Sequence, residues 1–216
     1  MQKVKYKNQN IITYLLSFRI IVLLSNIIFQ GIRYMSFGEK IYKISFSLIL
    51  AGLLNILINN IVISLIIGHM INYILNGQFY VLFRYLSNKR TMSRNALIEF
   101  INIIENYTRL FSPLDILVTG SFCRGKMTKS SDLDIRIYHK GDLISSLKAY
   151  TMATTLRFIG LFSKFPIDIY CFSDLTFLDK LNEIEIPVNF LENKYFLKKY
   201  PLSVNYKIQL EKLVIE

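Results

Sequence analysis

In the first third of the chain, apolar positions do not alternate with polar ones. They run on. From Ile44 to Leu75 there are 32 residues without Asp, Glu, Lys or Arg, and about 18 such residues suffice for a membrane-spanning helix. As a helix the run would be about 48 Å long at about 1.5 Å per residue, too short for two full crossings. The pattern predicts one tilted span, Ile44 to about Ile67, whose end continues into the interface. No polar stripe recurs at period 3.6, so a soluble helix of this composition would lack a face for water. An earlier stretch, Ile11 to Phe29 (about 11–30), is predicted as a first span. Its thirteen Leu, Ile, Val and Phe residues each favour insertion by about 0.3–0.6 kcal/mol, while central Arg19 opposes it by about 2.5–3.5 kcal/mol. A transmembrane hairpin in which Ser17, Ser25 and Asn26 meet Asn55, Asn59 and Asn60 would satisfy these polar groups. A cleaved signal peptide fits poorly, because the stretch is long and no small-residue cleavage site follows it.

Beyond residue 90 the pattern changes. Leu97, Phe100, Ile101, Ile104, Tyr107 and Phe111 recur at helical spacing and predict a helix over Met92 to Phe111. Leu114 to Thr119 is mostly apolar, follows Pro113 and ends at Gly120-Ser121, which predicts a buried strand entering a tight turn. Polar and apolar residues alternate over Asp132 to Tyr138, a second strand. Pro166 to Phe172 is another β-prone run, with Asp168 embedded in it. Asp142 to about Phe162 reads as the helix joining these strands, and Ser173-Asp174 as the cap of a short helix to about Leu181. The order predicts an α/β (α+β) domain with a small, twisted mixed sheet flanked by helices. Two units follow: an anchor, 1–90, and a catalytic domain, 91–216. Lys194 to Tyr200 mixes cations and aromatics and reads as a surface helix.

Side chains two apart on a strand share a face, so Asp132 and Asp134 point the same way. Like charges this close raise each other's pKa unless a cation intervenes. Hard oxygen ligands suit Mg²⁺, with Asp168 the best third acid; an ionised group in that apolar run needs a partner. A lone Asp-x-Asp is more often a solvated strand face. What singles this one out is its place ten residues after a Gly-Ser turn that ends an apolar strand.

Gly120-Ser121-Phe122-Cys123-Arg124-Gly125, followed by Ser131-Asp132-Leu133-Asp134, resembles the polymerase-beta-type nucleotidyltransferases, whose minimal members carry G-S-x-x-R-G and then S-D-x-D. The resemblance extends over roughly Met92 to Phe172 and is silent about the first ninety residues. It implies a nucleotidyltransferase fold in which Gly120 and Ser121 hold the terminal phosphates of a nucleoside triphosphate. Arg124, Lys129 and Ser131 complete the nucleotide-binding set. It further implies that Asp132, Asp134 and Asp168 are catalytic and ligate two Mg²⁺ ions, Mn²⁺ being an alternative. Two such ions about 4 Å apart can clamp the attacking and leaving oxygens of an in-line displacement. Where the family often has another arginine, this chain has Phe122, so one phosphate contact is either missing or supplied by Lys126 or Lys129.

Composition sharpens the division. Hydrophobic residues make up 52% of the chain and charged residues 19%, against about 25% charged in a typical soluble domain. Residues 1–90 hold ten Lys and Arg and one acid, whereas 91–216 hold sixteen and fourteen. The basic excess therefore flanks the apolar runs, where Lys3, Lys5, Lys7, Arg84, Lys89 and Arg90 would attract anionic headgroups. A nucleic-acid binder would carry its positive field on the working domain, so no nucleic-acid partner is expected. The flanking cations favour cytoplasmic ends for both spans, although Arg33, Lys40 and Lys43 in the intervening loop weaken the bias. The supply of triphosphate and Mg²⁺ points to the inner (cytoplasmic) membrane, with the catalytic domain facing the cytoplasm. Cys123 and Cys171 lack a disulfide framework and read as buried thiols. His69 and His139 have no partner at metal spacing. The expected function is transfer of a nucleoside monophosphate to a hydroxyl acceptor, such as a lipid, an envelope glycan or a membrane protein. The rivals are a catalytically silent or antitoxin-like regulatory partner and a head-group phosphotransferase acting on surface glycans.

Overall fold

The computed structural model describes residues 19–30, 35–76, 93–111, 114–128, 131–174, 176–181, 185–190 and 203–215. Three helices come first: α1 (Arg19–Phe29), α2 (Phe37–Ile58) and α3 (Ile61–Leu75). Then follow α4 (Arg94–Leu110), β1 (Asp115–Thr119), β2 (Lys126–Met127), β3 (Leu133–Tyr138), α5 (Leu143–Phe162) and β4 (Ile167–Phe172). A 3₁₀ turn (Thr176–Lys180), β5 (Val188–Asn189), β6 (Val204–Asn205), α6 (Tyr206–Lys212) and β7 (Val214–Ile215) complete the order. The main sheet runs β4-β3-β1-β5-β6. It is mixed: β1 is antiparallel to β3 and β5, whereas β3–β4 and β5–β6 are parallel. A separate parallel pair joins β2 to β7.

The uncharged run from Ile44 does not form the single helix predicted over 44–67. It breaks at Asn59-Asn60. Asn59 takes a left-handed conformation (φ 52°) and donates its N–H to Asn55 O, while the Asn60 side chain accepts from Ile63 N and caps α3. Asparagine tolerates left-handed backbone and competes for local peptide groups, so two in succession end one helix and start the next. Two residues expected to seek a helix partner in lipid thus form the turn of a hairpin, α2–α3. Its legs touch closely at Gly68, where a Cβ would lie 2.8 Å from Ala51 N; small residues allow such approach. The first predicted span overlaps α1, and residues 11–18 lie outside the described residues.

Period sets burial in the sheet domain. α4 turns Leu97, Phe100, Ile101 and Ile104 inward, and Phe100 stacks on Phe165 at 4.5 Å. Leu133, Ile135 and Ile137 alternate into the core from β3. The Asp142 side chain accepts from Ser145 N and caps α5.

The hairpin and the sheet share a buried polar joint. Glu39 of α2, only 2% exposed, accepts from Arg157 Nη2 at 2.7 Å and from Cys171 N at 3.1 Å. Arg157 also donates to Ile169 O and to Asn76 Oδ1. Since β4 is an edge strand, these groups satisfy peptide groups that no neighbouring strand reaches. A second polar layer lies beside the joint. Lys43 Nζ donates to Gln30 O (2.6 Å), and Asn72 Nδ2 donates to Lys43 O (3.0 Å) and Ser47 Oγ (2.6 Å).

Candidate active site

β1 delivers the chain into the turn that begins at Gly120. There φ is +72°, and a Cβ would strike Asp134 Oδ2. Only glycine fits on both counts. The turn is closed by Arg124 N to Gly120 O (3.4 Å), Gly125 N to Phe122 O (3.0 Å) and Lys126 N to Ser121 O (3.3 Å). Phe122 is fully buried and anchors the turn in the core. Cys123 Sγ donates to Val118 O (2.8 Å), and burial pushes this thiol up to about 12, so it is an inert packing group. From α6, Gln209 Nε2 donates to Phe122 O (2.7 Å) and Cys123 O (3.0 Å).

Strand register brings the acids together. Asp134 on β3 lies opposite Thr119 on β1 and opposite Asp168 on β4, so two carboxylates stand on adjacent strands beside the glycine turn. Asp132 immediately precedes β3. Burial, first, and then the charges of Asp132 and Asp168 push the Asp134 carboxyl up to about 6, against the opposing pull of Arg136. The Asp168 carboxyl is likewise raised, chiefly by burial, with Arg136 opposing.

Arg136 is the feature that sequence reasoning missed. Its Nη2 lies 3.3 Å from Asp134 Oδ1 and 3.7 Å from Asp168 Oδ2, Nη1 donates to the Ile135 and Asp168 carbonyls, and the guanidinium lies over the Tyr170 ring. A signal was present, because Asp132, Asp134 and Arg136 share one strand parity.

Among the described residues no group of three His, Cys, Asp or Glu side chains is gathered closely enough to hold a metal ion. A guanidinium bridges the two carboxylates instead. The donor chemistry nevertheless fits a hard cation: two carboxylates with raised proton affinity, a third acid next in the chain, and a glycine where any larger residue would strike the carboxylate.

The other predicted residues are placed as follows. Ser121 is half-buried in the turn. Arg124 pairs with Glu185, a partner remote in sequence that no local pattern announces. Ser131 Oγ accepts from Thr128 N at 2.9 Å and shapes the loop before β3. Lys126 is exposed on β2, and Lys129 lies outside the described residues.

A family model described as nucleotidyltransferase domain matches residues 100–211, just over half of the chain. The match begins within α4 and ends within α6, so it includes the glycine turn, the three acids, Arg136 and Gln209 and leaves out the hairpin. Neither the curated proteins nor the solved structures gave a match.

Proposed function

The chain belongs to the nucleotidyltransferase domain family, and from that premise we propose that it is a membrane-attached enzyme that transfers a nucleoside monophosphate from a nucleoside triphosphate to an acceptor hydroxyl. The observation that carries this reading is the register of Asp134 with Asp168 beside Gly120. Gly120 and Ser121 seat the terminal phosphates on the turn, with Arg124, Lys129 and Ser131 along the following loop. Asp132, Asp134 and Asp168 would hold two Mg²⁺ ions. Bound there, the cations would neutralise charge on the triphosphate and favour ionisation of the acceptor. Asp168 accepts the acceptor hydroxyl proton on a carboxylate oxygen. The hydroxyl oxygen bonds to the α-phosphorus as the bridging bond to the β-phosphate breaks, and pyrophosphate leaves. Positioning and electrostatics dominate such chemistry.

The hairpin and the basic flanks support attachment to the inner membrane, with the catalytic domain in the cytoplasm, where triphosphates are supplied. Of the described helices, α2 alone is long and apolar enough to cross a bilayer. A near-neutral catalytic part supports an acceptor other than nucleic acid.

One observation favours the silent, binding-only reading. Arg136 already occupies the position between Asp134 and Asp168. Incubating the full chain with labelled ATP, CTP, GTP and UTP, with and without Mg²⁺, separates the two. The enzyme reading expects cation-dependent pyrophosphate release with one or more nucleotides, reduced on the order of 10³-fold in Asp134→Asn. Nucleotide or partner binding without turnover under every condition would favour the silent reading.

A further inference from the structure

We propose that α2–α3 dips into one leaflet and returns to the side it came from, with the N-terminal end of α5 on the headgroups and the acidic site turned away from the bilayer. This rests on the membrane-attachment reading above.

α2 is long enough to cross only if all of it enters lipid, and its lower part is committed elsewhere. Glu39 is locked to Arg157 and Cys171, and Lys43 to Gln30 and Asn72. Above Lys43, α2 rises about 22 Å to its cap, and above Asn72 the α3 leg rises about 16 Å, at about 1.5 Å per residue. Both fall short of a hydrocarbon core of about 30 Å. Because both legs start from the polar layer against α5, the chain enters and leaves on one side. The residues flanking the exposed Asn59-Asn60 turn are apolar: Ile56 is 79% exposed, Leu57 83% and Ile61 54%. Surfaces exposed at that density mark an interaction site.

The direction follows from packing. A Cβ on Gly38 would meet the Tyr150 hydroxyl, and Glu39 meets Arg157. Tyr42, three residues farther along α2, lies 5.5 Å from the ring of Tyr150, seven residues earlier on α5, and Phe46 and Ile49 line a cavity of about 730 Å³ that Leu143 and Leu147 also line. α2 therefore runs antiparallel to α5, and the hairpin tip projects beyond the first turn of α5. That turn is itself apolar and exposed, at Leu143 (75%) and Ile144 (69%). Exposed Lys140 and Lys148 flank it, and the nearby acid Asp142 is engaged by Ser145. Exposed apolar residues flanked by two lysines, with Asp142 and Asp174 also exposed at this end, suit a leaflet surface through the apolar contact first, to which the lysines add where the lipid is anionic. His139 and Ser173 lie at this end of the sheet, whereas Asp134 lies five residues back along the strand, about 16 Å away at about 3.3 Å per residue. An acceptor hydroxyl must therefore stand clear of the headgroups. A glycan chain or a protein segment meets that requirement; a hydroxyl at the level of the phosphates does not.

The test is flotation of the full chain with phosphatidylcholine–phosphatidylglycerol vesicles, combined with thiol labelling of Asn59→Cys and Ile56→Cys; the native cysteines are buried. The expected result is flotation, with both introduced thiols shielded from impermeant maleimide whether it is added outside or sealed inside, and labelled after detergent. Labelling by the enclosed reagent means that the hairpin crosses, and labelling from outside on floated protein means that it lies on the surface; either overturns the proposal while leaving attachment intact. Failure to float overturns attachment itself. Lys140→Gln and Lys148→Gln should each weaken binding to these vesicles about fivefold, as expected for a lysine near an anionic surface. Unchanged binding would remove α5 from the interface.

Discussion

The hairpin and the sheet domain are both rich in Leu, Ile and Phe, yet they use them oppositely. In the sheet, period-2 strands and the period-3.6 face of α4 turn apolar groups into one core, leaving Asp134, Arg136 and Asp168 half-buried on the other strand parity. In the hairpin most apolar groups have no period and remain exposed, while Glu39, Lys43 and Asn72 are buried. The comparison teaches that patterning, more than hydrophobicity, decides which apolar surface stays available for an outside partner. It also shows where the two regions depend on each other, at Glu39 and Arg157.

The largest expected effect breaks the comparison on the sheet side. Asp134→Asn should reduce cation-dependent turnover on the order of 10³-fold, the scale of losing a central electrostatic group, measured as initial rates of pyrophosphate release. The same substitution should stabilise the cation-free protein at pH 7 by about 3 kcal/mol, since about 1.4 kcal/mol accompanies each unit by which a pKa is raised. The sign follows from a folded value near 6, above the unfolded one. Ionised Asp134 therefore opposes folding, a cost absent below about pH 4 and complete once pH exceeds 6. Wild-type stability should fall across that window relative to Asp134→Asn in urea titrations.

At the joint, Glu39→Ala leaves Arg157 buried without its partner, which should cost about 3–5 kcal/mol. If the hairpin were only a tether, unfolding of the sheet domain would not change, so one cooperative loss in thermal unfolding sharpens the claim that the regions are interlocked. Gly68→Val inserts atoms where α2 and α3 touch, with an expected cost of about 1–3 kcal/mol in the same thermal unfolding. Smallest is Arg109→Ala. It removes an exposed pair with Glu105 and should shift stability by less than about 0.5 kcal/mol in the same unfolding assay.

Much of the sheet was legible in the sequence because its signals are local. The strands over 115–119, 133–138 and 167–172, and helices α4 and α5, stand within a residue or two of their predicted bounds. Asp134 and Asp168 share one register because a parallel crossover sets their strands side by side, and Asp132 immediately precedes the strand. The break at Asn59-Asn60 was missed because hydropathy dominated the reading of that run, although two successive asparagines are a turn signal. Arg136 was readable by the parity used for Asp132 and Asp134, but attention to carboxylates passed over the cation beside them. Glu39 also left a trace, as the single acid among the first ninety residues. Glu185 and Gln209 left none, because they act on the turn from 61 and 87 residues away.

The central claim is that Asp134 and Asp168 form the cation and triphosphate site beside Gly120. Crystals grown with Mn²⁺ and a non-hydrolysable nucleoside triphosphate analogue test it most directly, through the anomalous signal of manganese. The expected result is a peak within ligand distance of both carboxylates, with the guanidinium of Arg136 withdrawn from between them. Arg136 still bridging the two acids, with no peak there and the analogue bound elsewhere or not at all, would contradict it.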